Sequence, residues 1–98
     1  MSVFAVTYVY VTDPDRLAEV RPEHREFLRD LHARGELRVS GPLPATPDGE
    51  PGGALLLVEA EDATAALELL GADPMRREGL VAQRAAREFV PVIGGFAA

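Results

Sequence analysis

Two stretches of this chain have the residues of β-strands but no wet face. Residues 3–11 (VFAVTYVYV) place Val3, Ala5, Thr7, Val9 and Val11 on one side and Phe4, Val6, Tyr8 and Tyr10 on the other, and neither set holds a charge. Residues 54–60 (ALLLVEA) are apolar almost throughout. Successive side chains of a strand point to opposite faces, so a sheet built on these runs must be covered on both sides.

The segments between them supply a cover for one side. Asp13-Pro14 pairs an N-cap residue with proline at the first helical position, which opens a helix. Pro22 disfavours helix at Arg21, so the main helix is expected to begin afresh at Pro22, run to about Arg34 and stop at Gly35. Residues 36–40 (ELRVS) read as a second strand. Residues 41–53 hold four prolines and four glycines and read as a long loop with a tight turn at Asp48-Gly49. After the strand at 54–60, Asp62 caps a second helix whose stripe is Ala63, Ala66, Leu67 and Leu70, ended by Gly71. Asp73-Pro74 starts a short turn or helix to about Gly79, and residues 80–92 form a last strand, with Pro91 marking an edge.

The order is βαββαβ, the ferredoxin-like arrangement, in which two helices cover one face of an antiparallel sheet. The other face still needs a cover. A second copy of the same sheet, packed face to face about a two-fold axis, is the simplest one. The 98 residues are enough for a single domain, 1–98, with no internal repeat.

Composition narrows the chemistry. The ten basic residues are all arginine, and cysteine is absent. Lysine Schiff bases, thiolate nucleophiles, disulfides and thiolate-bound metals are therefore excluded within these residues. The formal charge of −6 argues against nucleic acid or an anionic membrane as partner. No run reaches the length of a membrane span, and residues 1–4 lack the charge of a leader peptide, so cytoplasm is the default compartment.

Two histidines remain. His24 completes a buried stripe with Phe27, Leu28 and Leu31, whereas His32 falls about 80° further round the helix, on the polar flank. A buried imidazole has two readings: one satisfied by a carbonyl, or a titratable group held for use. Antiparallel helices would bring His24, one turn into the first helix, to the same end of the fold as Asp73, just past the second. A carboxylate there would orient the imidazole as a base; alternatively Asp73 serves only the turn before Pro74. The histidine spacing offers no metal motif, and no cofactor-binding loop is present. Ser40-Gly41-Pro42 lacks a nucleophile elbow, and Gly41 reads as a turn or close backbone approach. Arg21, Arg25 and Arg29 read as a solvated flank, with Arg21, beside a helix N-terminus, placed to favour an anion. Tyr8 and Tyr10 read as core or interface aromatics with hydroxyls at the rim.

Arg21-Pro22-Glu23-His24, the helix ending at Gly35, Ser40-Gly41-Pro42 and Asp73-Pro74, in this order and spacing, resemble the YciI-like (YCII-related) family over nearly the whole chain. The resemblance implies a ferredoxin-like domain that dimerises through its sheets, related to the dimeric α/β barrels. It also implies an enzyme in which His24 and Asp73 form a catalytic pair in a pocket walled by Arg21, Ser40 and Gly41. The related barrels include lyases and isomerases of small cyclic or aromatic acids. An aromatic residue usually follows the family's Asp-Pro; here Met75 stands there, implying an apolar wall without a stacking face. The expected function is cofactor-independent acid–base chemistry on a small, anionic molecule by a homodimer, with His24 moving the proton. The alternative is a non-catalytic module that binds a small ligand in the same pocket.

Overall fold

A computed structural model describes residues 1–95; the last three of the expected 1–98 domain lie outside the described residues. The elements are β1 (Ser2–Tyr10), α1 (Pro14–Ala33), β2 (Leu37–Leu43), β3 (Gly53–Ala60), α2 (Ala63–Leu69), a 3-10 turn (Leu70–Ala72), α3 (Pro74–Arg77) and β4 (Val81–Glu88). The four strands form one antiparallel sheet in the order β2-β3-β1-β4. This is the ferredoxin-like βαββαβ fold.

The two largely apolar strands, β1 and β3, lie side by side in the middle of the sheet, where the pattern demands them. Val6 faces Leu56 and Phe4 faces Val58 across the β1–β3 ladder. These four side chains join Leu28 and Leu31 of α1 and Ala66 of α2 in the core. The opposite sheet face carries Val39, Leu43 and Leu55, which are 48%, 45% and 37% exposed. Among the described residues nothing covers that apolar face.

The first helix differs from expectation. It does not restart at Pro22 but runs unbroken from Pro14 to Ala33, with Pro22 inside it. Proline at that position forfeits one bond to the Ala18 carbonyl. Both residues are exposed, so water satisfies the freed carbonyl and the cost is small enough to bear. The start is as expected: the Asp13 side chain accepts from the Arg16 amide, and Pro14 occupies the first turn. At the other end Gly35 adopts a positive φ of 79°. Its amide donates to the His32 carbonyl, and the Glu36 amide donates to that of Leu31, closing the helix with paired carbonyls.

The second strand is also longer than the expected 36–40. It passes through Gly41 and Pro42 to Leu43, with Pro42 opposite Ala54. An edge strand tolerates proline because one side of its backbone has no ladder partner, and β2 is an edge. The proline- and glycine-rich connection therefore shrinks to residues 44–52. Its tight turn is present: Gly49 has a φ of 104°, and Thr46 and Glu50 exchange bonds around it. The last strand ends at Glu88 rather than 92, so Pro91 lies beyond the ladder. The second helix stops at Leu69, and a 3-10 turn carries the chain through Gly71 to Asp73.

Replacing Pro22 with alanine restores the missing helical bond at an exposed site. The expected result is a fold stabilised by about 1–2 kcal/mol, the helix gain less the loss of chain stiffness in the unfolded state. Urea midpoints measure it; a destabilised variant would mean that the proline is structurally required.

Candidate functional site

His24 lies in the middle of α1, not one turn from its start, and faces inward with Val20, Leu28 and Leu31. Asp73 sits where the 3-10 turn ends and α3 begins. The two meet because the chain after α2 folds back along α1: Met75 and Leu80 pack on Val20. The expected proximity is present, but the segment between α2 and β4 creates it rather than the ends of two antiparallel helices.

The Asp73 carboxylate is fully buried and His24 is 8% exposed. His24 Nδ1 lies 2.8 Å from Asp73 Oδ1 and 3.0 Å from Oδ2. The Tyr8 hydroxyl donates to Oδ2 at 2.8 Å, and the Met75 amide donates to Oδ1 at 3.0 Å. Asp73 thus caps the short helix and holds the histidine with the same carboxylate. A carboxylate only accepts, so whenever the His24 ring is neutral this geometry puts its proton on Nδ1 and leaves the lone pair on Nε2. Among the described residues Nε2 has no hydrogen-bond partner.

Nε2 is the nitrogen available to a cleft of about 310 Å³ between α1, β2 and the tip of β3. His24, Arg21, Ser40 and Gly41 all line it, as do Tyr10 and Arg25. Asp73 does not; it stands behind the histidine. Arg21 is not at a helix start, so it offers its own charge without help from a helix end. At the rear of the cleft, Gly53 is required: a Cβ there would lie 2.0 Å from the Tyr8 carbonyl oxygen.

Two assignments made from sequence change. Met75 forms no wall of the cleft: it is 1% exposed and packs with Val20 and Leu80. The aromatic face available to a ligand belongs to Tyr10 instead, whose ring meets that of Tyr8 edge-on at 6.0 Å. Tyr8 does not reach the rim; its hydroxyl turns inward to Asp73. Period-2 alternation puts Tyr8 on the core side but is silent about its hydroxyl partner, 65 residues away. His32 is exposed as expected, its Nδ1 2.9 Å from the Leu37 carbonyl oxygen.

Electrostatics follow burial. Burial, with the Asp73 charge and hydrogen bond added, raises the Tyr8 phenol strongly. Tyr10 is pushed up to about 12 by burial first and the Asp73 charge second, with Arg21 opposing. Among the described residues no three His, Asp or Glu side chains gather as a metal site, and no helix is long and apolar enough to cross a membrane.

The YCII-related domain model matches residues 3–90. The chain belongs to the YCII-related family. YCII relatives include Protein YciI of Escherichia coli O6:H1 and of Shigella flexneri, each 31% identical over 83 residues, covering 80% of this chain and 85% of the relative. Among solved structures, the chain is similar to the 5-chloro-2-hydroxyhydroquinone dehydrochlorinase of Burkholderia phenoliruptrix AC1100, in complex with 2,5-dihydroxybenzoquinone. That likeness has a TM-score of 0.72 at 22% identity, over 90% of this chain and 93% of the other. An antibiotic biosynthesis monooxygenase is similar at a TM-score of 0.54 and 12% identity, over 94% and 99%. At these identities the two structures speak for the fold.

Two measurements test the buried network. The chain has two tyrosines and no tryptophan, so tyrosinate absorbance reads Tyr8 and Tyr10 alone. The folded state holds phenol protons that the unfolded state releases near pH 10.0, so stability is whole below that pH and is lost as pH rises through about 12. Tyrosinate is expected only near pH 12 or on unfolding; half-ionisation of the folded protein at pH 10.0 would contradict the burial. Tyr8→Phe, which removes one donor from a buried carboxylate, is expected to cost about 1–3 kcal/mol in urea unfolding; an unchanged midpoint would mean that Tyr8 does not support Asp73.

Proposed function

We propose that this YCII-related chain is a homodimeric enzyme that moves a proton on a small anionic molecule, in lyase or isomerase chemistry that needs no cofactor. One observation carries the reading: the only histidine on the core-facing stripe of α1 is held through Nδ1 by a buried carboxylate, with its other nitrogen left for the cleft. In this reading His24 Nε2 takes a proton from the substrate. Asp73 keeps the ring in the reactive tautomer and stabilises the imidazolium that forms. Arg21 holds the substrate's negative charge, and Ser40 and Gly41 form the facing wall.

The electron pair freed by that proton has two fates. In elimination it forms a new double bond while a leaving group departs with its own bonding pair, and His24 then loses the proton to water. In isomerisation the pair shifts along the molecule and His24 returns the proton to a different atom. A dehydrochlorinase on the same fold suggests chlorinated hydroquinones as a first probe for the elimination arm.

The dimer rests on the uncovered sheet face. Val39, Leu43 and Leu55 leave an apolar surface that a second sheet would bury.

Chloride release from chlorinated hydroquinones, and solvent-deuterium uptake into small carbon acids, test the chemistry. His24→Gln is expected to lower either rate by about 10²–10⁴-fold, the range of a lost general base. Undiminished turnover would reject the mechanism. For the assembly, light scattering should give the mass of two chains, reduced to one by Leu55→Arg; a wild-type monomer at micromolar concentration would reject the dimer.

A further inference from the structure

The cleft beside His24 does not end at Arg25. A second groove of about 360 Å³ continues from it between α1 and β2, lined in part by Arg29, His32 and Arg38. Arg25 and Ser40 border both spaces, so the two form one channel. The charge along it is one-sided. The chain has sixteen carboxylate residues against ten arginines, yet among the described residues no Asp or Glu lines either space. Four of the arginines and both histidines do.

Much of the charge on that lining is already shared. Arg29 pairs with Glu26 and Arg38 with Glu59, each at 3.6 Å. Arg21 and Arg25 differ: among the described residues neither has a carboxylate partner, although acidic residues outnumber basic ones. They stand one helical turn apart, about 6 Å along the axis. Two unneutralised guanidinium forks at that spacing, with a base between them on the same helix, match two separate oxyanions better than one.

We propose that the ligand is a small dicarboxylic acid that lies along this channel. One carboxylate is held by Arg21 near His24, the second by Arg25 at the entrance to the adjoining groove. The inference rests on the His24 cleft being the reactive site and adds the class of molecule it takes. It also assigns Arg25 a specificity role: a monoacid meets Arg21 alone, whereas a diacid of matching length meets both.

Calorimetric titration at fixed ionic strength tests this with glutarate and adipate against pentanoate and hexanoate, the monoacids of the same lengths. The wild-type protein is expected to bind the better diacid about tenfold more tightly than its monoacid, the effect of one further charge-assisted contact. Arg25→Gln should remove that preference and leave the monoacid affinity in place. Arg77→Gln, on α3, makes the same change in net charge and should leave the preference intact. Equal wild-type affinities, no diacid binding, or equal losses in the Arg25 and Arg77 variants would overturn the proposal. His24→Gln separates the two readings. A diacid preference that persists while this variant keeps full turnover would remove the proton-transfer role and spare the dicarboxylate site. Lost turnover with no preference in the wild type would do the reverse.

Discussion

A single buried carboxylate organises this protein. Asp73 has no exposed surface, and an ionised carboxyl group without partners in such a place would cost several kcal/mol. Its donors come from three elements: Tyr8 from β1, His24 from α1 and the Met75 amide from the first turn of α3. Each supplies the buried carboxylate with a hydrogen bond in place of water. Together they tie the central strand, the long helix and the segment after α2 into one arrangement. The same bonds leave one nitrogen of His24 available and the other committed, so a structural need and a chemical capacity share one network.

The cleft depends on two features that bend local rules at tolerable cost. The helix continues through Pro22, which keeps Leu17 and Arg21 in helical register with His24 and on the same wall. The edge strand continues through Gly41-Pro42, which sets Ser40 and Gly41 opposite that wall instead of in a loose loop. In both places the lost backbone bond faces solvent or a sheet edge, where water replaces it.

These two places also mark where sequence patterns mislead. A proline is a strong local signal, and nothing in the flanking residues says that a tertiary stripe will override it. Long-range topology was more legible: the apolar runs at 3–11 and 54–60, broken only by Glu59, demanded the centre of a sheet, and they occupy it. His24 was legible because Phe27, Leu28 and Leu31 define the buried face by periodicity, and Asp73 because Asp-Pro marks a turn that the topology brings near. The Tyr8 hydroxyl was not, since alternation assigns a face but not a partner. Met75 was misread for a related reason. Its place after Asp-Pro suggested a wall residue, but the short helix turns that side chain towards Val20 and Leu80.

The orientation of one imidazole is the centre of this account, and nitrogen-15 NMR of the two histidine rings reads it directly. The neutral His24 ring is expected in the Nδ1–H tautomer, with that proton strongly deshielded by the Asp73 carboxylate and the deshielding reduced in Asp73→Asn. A neutral ring protonated at Nε2, or spectra unchanged by Asp73→Asn, would contradict it.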